Sequence, residues 1–307
     1  MSTEALLEII ADYHAPELYC HVLIDPLAIP ENNDQSLLLQ LNKALGEGAM
    51  TRVVRADLPH APQLHPVLAC LSSPGAKPSP PLLKMTAHAA QSDNQRRKRH
   101  VCGWLLSEAP APVIAAHLAA LCRLHGSASE PRFYPLYEPV RLELLATTFE
   151  HVERGPWWPI KHWLFVSSGA QLAGLSGEAH PRSGLLRSAL RVQDDVTLIE
   201  TLLAAWRALP SGPADPTPSP LPAFAAVKAS NHIDDARRLG LSAVDDILVF
   251  ALYHLCLHPR LHAAPAVRQI IDAAVQQQLP LAPLLARHSD AYWRQVIATL
   301  PRSEVRP

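Results

Sequence analysis

Two carboxylates follow predicted strands, a position where acid/base groups often lie in α/β folds. Asp25 follows the apolar run 18–24, Glu138 follows an extended aromatic run, and each precedes a proline. If the two strands are neighbours, the carboxylates lie close together and could form an acid/base pair. The structural interpretation, which we favour, is that Asp25 forms a turn and that one carboxylate makes a salt bridge with Arg132 or Arg141.

Three histidines, His254, His258 and His262, are spaced four residues apart. On one continuous helix this spacing would place three possible metal ligands on the same face. Pro259 interrupts the run, so we expect histidines near the end of a helix, where its dipole favours positive charge. We therefore predict no metal site.

The five cysteines are odd in number, widely spaced and mostly set in apolar runs, which is typical of reduced core thiols. His117 and Cys122 fall on one predicted helix, but five residues separate them, so they point about 140° apart. A thiol–imidazole dyad assembled from distant residues stays open.

The common catalytic signatures are missing from the sequence. It contains no G-x-S-x-G elbow, phosphate-binding glycine loop, H-E-x-x-H pair or C-x-x-C pair. We predict a chain that is not an enzyme, with no catalytic residues and no cofactor. The alternative is a cytoplasmic α/β hydrolase or transferase that uses a Cys/His or carboxylate pair.

The central stretch of the chain predicts a βαβ unit. Residues 101–106 form an apolar run too short for a helix, and Pro110 and Pro112 suit the first turn of the helix that follows. Gly126 stands where this helix would end, and residues 132–137 again form an extended run. Strand, helix and strand at this length predict a parallel pair, within an α/β lobe whose sheet is mixed or parallel.

Residues 1–166 are predicted as this α/β lobe, 167–182 as a Ser/Gly-rich linker, and 183–307 as an all-α lobe. In the second lobe, Asn231 and Ser242 have the pattern of helix N-caps.

Aromatic residues near the end of the first lobe are candidates for partner binding. Tyr137 and the pair Trp157 and Trp158 lie just ahead of the predicted linker. Tryptophan and tyrosine contribute disproportionately to interfaces, and a crevice between two lobes is a common place for a partner segment. The other interpretation is that these tryptophans close one edge of the core.

Composition limits the possible partners. The chain of 307 residues is 48% hydrophobic with a net charge of −1, which favours recognition by apolar surface. The basic run 96–100 has no interleaved aromatic residues, so we predict a solvated turn and no nucleic-acid partner. The start lacks a signal-peptide pattern and no run is long enough to span a membrane, so we expect a cytoplasmic protein.

Several short segments resemble the adaptor-chaperone family of bacterial type VI secretion, first defined as a domain of unknown function. They occur in the family's order and roughly its spacing: LYCHVLIDP (18–26), HPVLACL (65–71), CGWLLS (102–107), AAHL (115–118), LYEPVRLELL (136–145), the Gly155-Pro156 turn before Trp163, and LGLSAVDDILVFALYHL (239–255). The similarity is strongest over about 18–165.

The resemblance implies a carrier without chemistry of its own. Such a protein binds a toxic effector and loads it onto the valine-glycine-repeat spike protein, and these two proteins are the partners we expect. The family's Arg-aromatic-aromatic-acid-Pro motif differs here, because Pro135 stands at the Arg position and Arg132 lies three residues upstream. The Pro-rich stretches 74–81 and 210–222 also differ from the family pattern. A structural or regulatory helical protein unrelated to secretion is a third hypothesis.

Overall fold

A computed structural model describes residues 2–28, 36–93, 96–124, 132–148, 155–179, 187–212, 215–218 and 220–301. Contacts divide the chain into two compact units, Met1–Asp194 and Asp195–Pro307. None of the helices in these ranges is long and apolar enough to cross a membrane.

A six-stranded antiparallel sheet forms the centre of the first unit. Its strands are β1 (Tyr19–Ile24), β2 (Met50–Arg52), β3 (Val67–Ser72), β4 (Val101–Ser107), β7 (His162–Val166) and β8 (Leu172–Ser176). They lie in the order β2-β3-β1-β4-β7-β8, and every neighbouring pair is antiparallel. The short strands β5 (Arg123–Leu124) and β6 (Arg132–Phe133) pair only with each other.

Helices cover both faces of this sheet, because its inner strands are apolar on both sides. Core residues of α1 (Thr3–Tyr13), α2 (Leu37–Leu45) and α3 (Pro80–Ser92) pack with one face, and those of α4 (Ala111–Leu121), α5 (Pro139–Thr148) and α6 (Arg187–Asp194) with the other. Strand β1 shows the alternation, since Val22 belongs to the first core and Leu23 to the second. The first unit is therefore a three-layer α/β structure.

The predicted parallel βαβ unit is wrong, although its first strand and its helix form as β4 and α4. Of the predicted second strand 132–137, only Arg132–Phe133 is a strand, outside the main sheet. The next strand in the main sheet, β7, enters beside the end of β4, where Lys161 N–H donates to the Leu106 carbonyl, and it runs antiparallel to β4. The Gly126 C-cap lies outside the described residues, and α4 ends at Leu121.

A bulge at Gly103 adjusts the pleat of β4. Pairing with β1 shifts between Leu23, which faces Gly103, and Ile24, which faces Val101. Gly103 has φ +142°, and a Cβ there would overlap the Leu164 carbonyl oxygen and approach the indole nitrogen of Trp163 to 2.6 Å. Only glycine fits this position without displacing β7.

Six helices are described in the second unit: α7 (Val196–Arg207), α8 (Ala225–Arg238), α9 (Val244–Cys256), α10 (Pro265–Gln277), α11 (Leu281–Ala286) and α12 (Asp290–Thr299). The apolar helix α9 packs against α7, α8 and α11. A two-stranded ladder of β9 (Pro210–Gly212) and β10 (Asp215–Pro218) accompanies the helices, so the prediction of an all-α lobe is not confirmed.

Two predicted N-caps in this unit are wrong. Asn231 lies inside α8, which begins after Phe224, and Ala243 rather than Ser242 precedes α9. The predicted linker 167–182 contains β8, whereas the boundary between the two compact units falls after Asp194. The positions of the lobe boundaries stay a prediction.

Candidate functional site

Many buried polar side chains of the first unit lie at one end of the sheet, which we call the polar end. Here β1 finishes, β4 begins, and the loop before α5 approaches both strands. Asp25, the first residue after β1, is 1% exposed. Its N–H donates to the His100 carbonyl at 2.8 Å, and its Oδ1 accepts from Leu27 N–H at 3.0 Å, which makes the predicted turn.

Arg55 supplies a positive charge near this carboxylate. Its guanidinium forms a bidentate pair with Asp57, with distances of 3.1 Å to Oδ1 and 2.6 Å to Oδ2. Its remaining nitrogen, Nη1, donates to the Tyr137 hydroxyl at 3.1 Å. The guanidinium carbon also lies 4.8 Å above the ring centre of Phe133, a cation–π distance. Arg55 is thus fixed from several sides.

Glu138 is held by two cations. Arg141 Nε donates to its Oε2 at 3.0 Å, which confirms the predicted salt bridge with Arg141, and Lys98 Nζ lies 3.5 Å from its Oε1. Arg141 also donates to the carbonyl and side-chain oxygens of Gln193 at 3.0 and 3.2 Å. The roles of Arg55 and Lys98 were missed from the sequence, because no local pattern connects either residue with a strand end far along the chain.

The carboxyl group of Asp25 has the electrostatics of an acid/base group. Burial raises its pKa from 3.8 to about 6, the Leu27 N–H opposes that shift, and the charge of Glu138 adds to it. The positive charges of Arg55 and Lys98 also oppose the increase, but burial outweighs them. A group that titrates near pH 6 can accept or donate a proton at physiological pH, which is one mark of a functional site.

The three predicted partner-binding residues lie in different environments. Tyr137 and Trp157 are 0% and 1% exposed and belong to the same core cluster, where Trp157 packs edge-on against Trp163 at 6.0 Å. Burial raises the pKa of Tyr137, so its hydroxyl stays protonated. Trp158 is 42% exposed and precedes Pro159 through a cis peptide bond. Of the three, Trp158 has the side chain most accessible to a partner.

The three regularly spaced histidines do not share a helix. Helix α9 ends at Cys256, so only His254 lies on it. His254 Nε2 accepts from the His262 N–H at 3.0 Å and lies 3.1 Å from His262 Nδ1, while His258 accepts from the Arg260 N–H. In the part of the chain that the structure describes, no three His, Cys, Asp or Glu side chains are grouped as metal ligands.

Burial disfavours nucleophilic chemistry at the core cysteines. Cys20, Cys102 and Cys122 are fully buried, and burial raises the pKa of Cys20 and of Cys122 to about 12. Because the thiolate is the reactive form of cysteine, these thiols suit packing better than catalysis.

Comparison of the chain with profiles of known protein families, with curated proteins and with solved structures gives no match.

Proposed function

We propose that this protein is a non-enzymatic adaptor, which binds a type VI secretion effector and helps to load it onto the valine-glycine-repeat spike protein. The observation that carries the proposal is the set of short segments, from LYCHVLIDP to LGLSAVDDILVFALYHL, that follow the order of the adaptor-chaperone family. In the first unit these segments form β1, β3, β4, α4 and the start of α5, which together make much of its core.

The chemistry of the described residues supports a binding role. The reactive forms of the core thiols are disfavoured, and the carboxylate of Glu138 is already paired with Arg141 and Lys98. Trp158 meanwhile exposes a large aromatic surface beside a folded turn. Exposed tryptophan is a frequent centre of protein interfaces, since it buries much apolar area at a small cost in side-chain entropy.

Co-expression tests this proposal. The chain should be produced with the effector encoded beside its gene, with and without the cognate spike protein. We expect the effector to become more soluble and to copurify with the chain, and the spike protein to join the complex. A clean monomer that neither binds nor solubilises the effector contradicts the proposal.

One observation favours a second function, an enzyme of the hydrolase or transferase class. The pKa of Asp25 is raised to about 6 next to the charge of Glu138, as acid/base pairs require. A screen against ester, amide and glycoside substrates tests this hypothesis. Activity that is lost in both Asp25→Asn and Glu138→Gln, with the fold retained, supports the enzyme, whereas a screen without turnover supports the adaptor.

A further inference from the structure

Strand β8 is an open edge of the main sheet, and the described residues pair it only with β7. Ser167 N–H donates to the Gln171 carbonyl at one end of this hairpin, and Gly177 N–H donates to the Lys161 carbonyl at the other. Hydrogen-bonded residue pairs alternate with non-hydrogen-bonded pairs along an antiparallel ladder. The hydrogen-bonded pairs between these two ends are therefore Phe165 with Ala173 and Trp163 with Leu175.

The intervening residues of β8 have the opposite orientation. Leu172, Gly174 and Ser176 direct their backbone N–H and C=O groups away from β7, toward the open side of the sheet. These groups form a row of donors and acceptors that another extended chain can pair with.

The open edge of β8 lacks the features that usually prevent such pairing. Its sequence, LAGLS, contains no proline and no charged residue. The opposite edge strand, β2, is only three residues long and carries Arg52, whose guanidinium donates to the Pro62 carbonyl at 2.8 Å. Of the two edges of this sheet, β8 is therefore the one suited to receive a strand.

An uncharged groove lies beside this edge. It has a volume of about 260 Å³, and its other walls come from α1 and β7, through Ile9, Tyr13, His162 and Leu164. Tyr13 is 46% exposed and stacks on His162 at 4.4 Å. Burial, with a smaller effect of Lys161, lowers the pKa of His162, so the ring is neutral near pH 7. None of the described residues that line the groove is a carboxylate, a lysine or an arginine, so the groove matches an uncharged side chain.

We infer that β8 receives an extended, uncharged segment of the effector as an additional strand, with an uncharged side chain of that segment in the groove. The backbone groups of Leu172, Gly174 and Ser176 would pair with the segment, as in other cases of strand addition. This inference rests on the proposed adaptor function, and it identifies the chemistry of the bound segment.

A matched pair of substitutions at Gly174 tests the inference. Gly174→Pro removes an outward N–H and leaves the bonds to β7 intact, a position where an edge strand tolerates proline. Gly174→Ala keeps the N–H, and its Cβ would approach a movable methyl of Leu164 to 3.2 Å and make an ordinary contact of 3.8 Å with the Trp163 carbonyl oxygen. With the purified effector encoded beside the gene, we expect Gly174→Pro to bind at least about 10-fold more weakly than Gly174→Ala, which carries the added Cβ but keeps the N–H. Equal affinity for the two variants overturns the inference.

Hydrogen exchange of the wild-type chain gives a second readout that does not depend on a variant folding. The amides of Leu172, Gly174 and Ser176 should exchange quickly in the free protein and slowly in the complex. A complex that leaves these amides fast overturns the inference while the adaptor function stands. If the wild-type chain does not bind the effector, both proposals fail.

Discussion

At the scale of single residues, Asp25 combines burial with incomplete charge compensation. Its carboxylate accepts from Leu27 N–H, while the nearby Arg55 is already paired with Asp57. The shifted pKa of Asp25 therefore affects stability whether or not the residue has a catalytic role.

The first prediction is that ionised Asp25 destabilises the fold. Its pKa is higher in the folded chain, about 6, than the ordinary value of 3.8, so the folded state binds more protons between these values. The protonated carboxyl group therefore contributes its full share to the free energy of unfolding below about pH 4, and this contribution is lost as the pH rises through 6. We expect the free energy of unfolding of Asp25→Asn, relative to that of the wild type, to increase by up to about 3 kcal/mol when the pH is raised from 4 to 8. Urea unfolding at the two pH values measures this difference.

Asp57→Asn is a control for which we expect the opposite pH dependence of the stability change. Burial would raise the pKa of Asp57, but the hydrogen bond and charge of Arg55 outweigh burial and lower it. The penalty of Asp57→Asn should therefore be larger at pH 7 than at pH 3. Parallel pH trends for the two variants would contradict this electrostatic account.

The second prediction concerns Gly103. Alanine there would collide with the Leu164 carbonyl and the Trp163 indole, so Gly103→Ala should lower the free energy of unfolding by about 3 kcal/mol. Gly48→Ala, at a position with open space around it, should change stability by less than about 1 kcal/mol. Thermal unfolding of both variants checks this, and equal melting temperatures would show that the bulge tolerates a side chain.

At the scale of elements, the turn that carries Trp157 and Trp158 buries the first tryptophan in the core and leaves the second partly exposed. Trp157→Ala should cost about 3–5 kcal/mol of stability, because it empties a buried space beside Trp163. Trp158→Ala should change stability little and, if Trp158 is a centre of the interface, weaken effector binding by about 2 kcal/mol or more. Unfolding curves and binding titrations measure the two quantities, and unchanged binding by Trp158→Ala removes it from the proposed site.

Local patterns in the sequence predict individual elements well. The apolar run after Leu18 becomes β1, and the prolines at 110 and 112 mark the start of α4. These features depend on neighbouring residues alone.

Strand direction and helix boundaries depend on distant contacts, which explains the errors. The direction of β7 is defined by its antiparallel pairing with β4, and no local pattern in the sequence records this pairing. Helix α8 extends back to Ala225 because Ala225, Ala226 and Ala229 are buried, although Asn231 has the composition of an N-cap. Tertiary packing overrides the local preference at such positions.

At the scale of the whole molecule, the contact division into Met1–Asp194 and Asp195–Pro307 can be tested by limited proteolysis. Cuts are expected between the two cores, so one stable fragment should keep 101–122 intact and another should keep 243–256 intact. The first range contains β4 and α4, and the second contains α9. Early cleavage within either range would contradict the assignment of these elements to the cores.

The candidate site could be predicted only in part from the sequence. Asp25 and Glu138 were recognised from their positions after extended runs, and one of the two was expected to form a salt bridge with Arg132 or Arg141, of which the structure shows Glu138 with Arg141. Arg55 and the open edge of β8 could not be recognised, because both depend on which strands are neighbours in the sheet. The bound segment inferred for β8 is likewise a property of the assembled sheet.

The central claim is that the chain is an effector-binding adaptor, and one measurement tests it most directly. The purified full chain and the effector encoded beside its gene are mixed at micromolar concentration, and size-exclusion chromatography with light scattering gives the molar mass of each peak. The account predicts a new peak that contains both proteins, with a mass equal to a whole-number combination of the two. Two separate peaks with the masses of the free proteins, at concentrations up to about 100 μM, would contradict it.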